Sequence, residues 1–129
     1  MANLKLKGCF ISESVIISND GKVSIINLFS EIKTQGFPVV FPQFSVLINI
    51  SGDVGEYQEI VEIISLSDNK VMATTKGLVK IEGKGGNNFL ANFRNIPFTK
   101  EETYWIKVTV NGSVVTDKNE NTLVIKKVL

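Results

Sequence analysis

Tyr104, Ile106, Val108 and Val110 stand at every second position, with Trp105, Lys107 and Thr109 between them. A period of two is the mark of an extended strand, whose successive side chains point to opposite faces; a helix repeats every 3.6 residues. The same alternation sets Phe44, Val46, Ile48 and Ile50 against Ser45, Leu47, Asn49 and Ser51. No long segment keeps a helical period, and Ile and Val, whose branched side chains suit a pleated surface, dominate the apolar residues. The chain is therefore restricted to an all-β fold.

Turn chemistry divides it into strands. Leu4 to Phe10 and Ser14 to Ser18 read as strands, and Asp20-Gly21 turns the chain into Val23 to Ile32. The alternation slips around Ile25-Ile26, which predicts a bulge or a strand buried on both faces. Gln35 to Pro42 holds Phe37, Val39, Val40 and Phe41 between Pro38 and Pro42, and proline donates no ladder hydrogen bond, so this stretch is expected as a connection or edge. Tyr57 to Leu66, Val71 to Glu82, Phe89 to Phe98, Val114-Val115 and Thr122 to Leu129 complete the strands; Asp68-Asn69-Lys70, a Gly83 to Asn88 loop and Asn111-Gly112 join several of them. These 129 residues form one domain, with enough chain for a core without disulfides. About eight or nine short strands at these intervals predict a sandwich of two mainly antiparallel sheets.

Asn95 to Val108, a turn followed by Tyr104 and alternating apolar residues up to Asn111-Gly112, resembles the sixth and seventh strands of immunoglobulin-like and fibronectin-like domains. The resemblance implies a tyrosine corner; the cysteine pair and core tryptophan of antibody domains are missing. A longer resemblance runs through Gly8-Cys9-Phe10, Asp20-Gly21-Lys22-Val23-Ser24, Ile26 to Ile32, Phe37-Pro38, Asp68-Asn69-Lys70 and the Tyr104 to Gly112 ending. These turns and strands resemble a bacterial family of unknown function made of small immunoglobulin-like β-sandwich proteins, a likeness that implies a fold and no catalytic residues. Glu102-Thr103 stands where a glycine is expected before the tyrosine.

Chemistry is constrained by what is missing. The chain has no histidine, which removes Ser-His-Asp and Cys-His nucleophile systems, His-containing zinc sites and the commonest proton shuttle near neutral pH. Its single cysteine, Cys9, lies in an apolar strand and reads as a small hydrophobe. Asp53, Glu56, Glu59 and Glu62 lack the spacing of a calcium loop, with Glu59 and Glu62 expected on different strand faces. The Gly83 to Asn88 loop precedes a strand, whereas a phosphate cradle precedes a helix. Lys76, Lys80 and Lys84, joined by Lys107 beside Trp105, offer a basic-aromatic surface for single-stranded nucleic acid. A net charge of +1 and the presence of only one aromatic, Trp105, beside these lysines argue against it.

The expectation is a non-enzymatic protein-interaction or structural module, with no cofactor and no metal, that recognises a protein partner or a second copy of itself. Trp105 with Lys107, and the segment carrying Phe37, Val39 and Phe41, are the expected contact residues, because both offer apolar area that a monomer leaves open. The alternatives are a carrier of a small apolar ligand and a phage-encoded inhibitor of a host defence protein. No stretch has the length of a membrane span or a signal-peptide core. One cysteine, a single arginine and abundant Ile, Lys and Asn point to the cytoplasm of a bacterium, or of one infected by phage.

Overall fold

A computed structural model describes residues 3–82 and 87–128. Ten strands are found among them: β1 (Leu4–Ile17), β2 (Val23–Leu28), β3 (Glu31–Thr34), β4 (Val39–Gly52), β5 (Gly55–Ser65), β6 (Val71–Ile81), β7 (Asn87–Phe98), β8 (Glu102–Val110), β9 (Ser113–Val114) and β10 (Thr122–Lys127). They make two layers. Sheet A has the order β2-β1-β4-β7; sheet B has the order β3-β10-β8-β5-β6, with β9 paired to β8. All pairs are antiparallel except β3 with β10, which are parallel. The chain is an all-β sandwich, and its crossings from β4 to β5 and from β7 to β8 are those of immunoglobulin-like domains. Among the described residues no helix is long and apolar enough to cross a membrane.

The alternating residues meet between the layers. Phe44, Val46, Ile48 and Ile50 of β4 face Val61 and Ile63 of β5 and Ile106, Val108 and Val110 of β8, all buried in one core. Tyr104 joins them, its ring 5.2 Å from that of Phe98. Asn27, Asn69, Asn95 and Asn111 take up positive φ, the left-handed region that a short polar side chain tolerates. Gly112 follows Asn111 there, closing the β8–β9 turn.

Four boundaries differ from the sequence reading. Leu4 to Phe10 and Ser14 to Ser18 are one strand, because Ser12 is buried and pairs with both Ser45 and Leu28. Val23 to Ile32 is two strands in different sheets, separated after Leu28. Its Ile25 and Ile26 are exposed on both faces rather than buried, and the irregularity falls at Asn27, whose φ is 55°. The strand expected from Phe44 already begins at Val39. Pro42 is tolerated there because β4 pairs only with β7 over Val39 to Phe44; β1 joins its other edge at Ser45. Asn87 and Asn88, expected in a loop, open β7; the rest of that loop lies outside the described residues, as does Lys84.

Candidate interaction surfaces

The two outer faces differ in kind. On sheet A, register places three rows side by side: Gly8, Asn49 and Asn88; Phe10, Leu47 and Leu90; Leu28, Ser12, Ser45 and Asn92. Among the described residues these rows carry no charge; Lys5, the exposed Lys7 in the bulge between Leu6 and Gly8, and Arg94 border them. Leu47 is 3% exposed although it faces outward, and Ser12 and Ser45 are buried between the larger side chains. Their hydroxyls are satisfied locally, Ser12 Oγ donating to the Ser14 carbonyl at 3.0 Å and Ser45 Oγ to Asn92 Oδ1 at 2.6 Å. A Cβ on Gly8 would meet the Phe10 ring at 2.8 Å, so the glycine lets that ring lie flat on its own strand. Phe10 and Leu28 remain 39% and 60% exposed.

On sheet B the outward residues are charged and interleaved. Glu56 stands opposite Lys80, Glu62 opposite Lys107, and Ile60 opposite Lys76. Trp105 lies between Ile64 and Thr122, half-buried, with Lys107 Nζ 5.6 Å from its ring centroid, a cation–π contact that covers the ring from above. The indole N–H is shielded from solvent without an acceptor. Trp105 and Lys107 are thus brought together as the alternation predicts. Phe37, Val39 and Phe41 are elsewhere, partly buried against the flank of the core, with Phe41 stacked on Phe29 at 5.5 Å. The fully outward side chain of that segment is Val40, 55% exposed.

The remaining candidates separate. Glu59 points inward and Glu62 outward, as their spacing predicts, while Asp53 is exposed and accepts the Asn3 amide at 2.9 Å. No group of three or more His, Cys, Asp or Glu side chains among the described residues is placed to hold a metal ion. Cys9 faces the core half-buried, and burial pushes its thiol up to about 11, so it stays protonated and unreactive near neutral pH. A cleft of about 310 Å³ opens beside it, lined by apolar Ile11, Phe29 and Ile106 and by polar Ser30, Glu120 and Asn121.

One feature leaves almost no mark in the sequence. Past the pairing of Ser12 with Ser45, β1 leaves β4, and its last residues pair only with β2. The result is a two-stranded arm with Ile16 (54%), Ile17 (48%), Ile25 (38%), Ile26 (40%) and Leu28 exposed on its two sides. The slip at Ile25-Ile26 was its only trace in the sequence.

Fold and surface together define a small β-sandwich domain whose most distinctive area is an uncharged sheet face continued by an apolar arm. The chain belongs to a family of unknown function, DUF6941, whose model matches residues 7–119. No curated protein matches it.

Proposed function

We propose that the protein is a non-enzymatic interaction module that recognises another protein through flat, weakly polar surface. The observation that carries this reading is the outer face of sheet A, where Phe10, Leu28, Leu47 and Leu90 sit among serines and asparagines without a charge. Interface centres are depleted of charged residues, because desolvating an unpaired charge costs more than the contact returns. Trp105 with Lys107 forms a second, charge-rimmed patch on the other layer, and Val40 continues the apolar segment of Phe37, Val39 and Phe41. The reading sets this module in a bacterial cytoplasm, or a phage-infected one, supported by the single cysteine and the Ile-, Lys- and Asn-rich composition.

Affinity capture with the wild-type chain, a Phe10→Lys/Leu90→Lys variant and a Trp105→Ala variant tests the reading. Loss of capture with the first alone assigns the partner to sheet A; loss with the second alone assigns it to sheet B. A partner retained equally by all three would remove both surfaces from consideration.

The cleft beside Cys9 favours a second reading, a carrier of a small apolar ligand, since its volume lies at the lower end of small-molecule sites and Ile11, Phe29 and Ile106 give it an apolar part. Native mass spectrometry of freshly purified protein separates the two. A retained small molecule, displaced when Ile11→Trp fills the cleft, supports the carrier.

A further inference from the structure

We propose that the free edge of β2 pairs with the same edge of a second copy, joining two copies of sheet A into one continuous sheet. The proposal names a partner for the interaction reading above and rests on it.

Five of the described strands have a free edge: β2 and β7 in sheet A, and β3, β6 and β9 in sheet B, of which β9 is only two residues long and too short to pair on. An exposed edge offers unpaired N–H and C=O groups to any passing strand, and natural proteins block it with lysine, proline or other charges. The β7 strand carries Arg94 and Pro97, β3 carries Glu31 and Lys33, and β6 carries Lys76 and Lys80. The β2 strand, Val23-Ser24-Ile25-Ile26-Asn27-Leu28, carries none of these, and its residues from Ser24 onward are exposed. It also belongs to the two-stranded arm, and a hairpin of two strands alone is marginal in water.

The register is suited to self-pairing. The Ser18 amide donates to the Lys22 carbonyl at 2.9 Å, which turns the backbone groups of Lys22, and by alternation those of Ser24 and Ile26, toward β1. The N–H and C=O of Val23 and Ile25 therefore point away from the sheet. A two-fold axis through Ser24 sets Val23 of each copy opposite Ile25 of the other, forming four backbone hydrogen bonds from regular extended residues, short of the left-handed Asn27. Side chains on one face then read Val against Ile twice; on the other, Ser24 meets its own copy and Lys22 meets Ile26, so no like charges are opposed. The exposed arm residues lie on its two faces, and edge-to-edge pairing of two such short strands buries less than a standard interface, so the dimer forms and dissociates with concentration.

Sedimentation velocity from about 1 to 500 μM, a range that spans weak dimers, reads the mass directly. The wild-type chain is expected to shift from one chain to two across that range, and Ile25→Lys, which sets two like charges beside the axis, is expected to weaken the dimer at least tenfold. In a Cys9→Ser background, Ser24→Cys is expected to form a disulfide-linked dimer on mild oxidation, because directly opposed, non-hydrogen-bonded residues lie within disulfide reach. Thr74→Cys, on the charged β6 edge, is the control for chance collision. A chain that stays single at every concentration, with Ser24→Cys no faster than Thr74→Cys, overturns the proposal. If that chain still captures a partner through Phe10 and Leu90, the interaction reading survives without it. A dimer that ignores Ile25→Lys and Ser24→Cys overturns it as well, since the contact would then lie elsewhere.

Discussion

Glu59 and Glu102 are two carboxylates held in opposite senses. Glu59 points into the sandwich opposite Gly77, its Oε2 shielded and without a hydrogen-bond partner, and burial pushes its carboxyl above the ordinary range. A group whose folded pKa is raised stabilises the fold below its unfolded value, near 4.5, and that stability is lost as pH rises through the folded value. Glu59→Gln, which cannot ionise, is expected to raise stability at pH 7, with a gain that vanishes below about pH 4.5. Thermal unfolding of both proteins across that range checks it, and a pH-independent gain would point to packing instead. At Glu102 burial pushes the carboxyl up, but the Ser67 and Ser65 hydroxyls, the Thr103 amide and Lys100 outweigh it and hold the group below the ordinary range. This network ties the β5–β6 turn to the start of β8, which is what Glu102-Thr103 supplies in place of the expected glycine. Stability from a lowered pKa is present above the unfolded value and lost as acid titrates the group. Glu102→Gln is therefore expected to be destabilised at pH 7, with a deficit that closes toward low pH, the mirror image of Glu59→Gln. Trp105→Ala removes a half-buried ring and its cation–π contact; a cost of about 1–2 kcal/mol with the β spectrum intact is expected, whereas a chain that unfolds would show the ring to be core.

Within single elements, alternation told the truth about facing and much less about extent. It separated Trp105 from Tyr104 and Glu62 from Glu59, because period two is a property of the strand itself. It could not show that Leu47 is buried on an outer face, since that burial comes from Phe10 and Leu90 on neighbouring strands. Nor could it divide Val23 to Ile32, where the chain changes sheets between Leu28 and Glu31 without a proline or glycine to mark the place. Strand ends depend on partners, and Pro42 lies inside β4 only because no strand claims its free side. The arm is the sharpest case, for its apolar residues look like core in the sequence and stand in solvent in the fold. A free edge predicts fast exchange of its outward amides. In dilute protein the Val23 and Ile25 amides are expected to exchange as fast as loop amides, while Ile48, between β1 and β7 in the middle of sheet A, is protected to the limit of global unfolding. Slow exchange at Val23 and Ile25 in a demonstrated monomer would show the edge to be covered from within the same chain.

At the scale of the whole molecule the two layers are closed by pairings between distant parts of the chain, which local sequence patterns do not encode. Glu31 to Thr34 pair in parallel with Val124 to Lys127, and β10 in turn pairs with β8. The last strand thereby links an early element to the centre of sheet B. It also supplies Leu123 and Ile125, both buried in the common core. The family match ends at residue 119, before this strand begins, so the match alone gives no measure of what the fold requires. Removing β10 would uncover the inner faces of β3 and β8 together and leave β3 without a partner. A chain ended after Asn121 is expected to lose its cooperative unfolding transition, and Leu123→Ala alone is expected to cost about 2–5 kcal/mol, the range for deleting a buried leucine side chain. Urea titration of both, followed by intrinsic Trp105 fluorescence and far-ultraviolet circular dichroism, measures this. A truncated chain that unfolds with an unchanged midpoint and slope would mean that sheet B closes without its last strand, and that the parallel β3–β10 pair carries no part of the fold's stability.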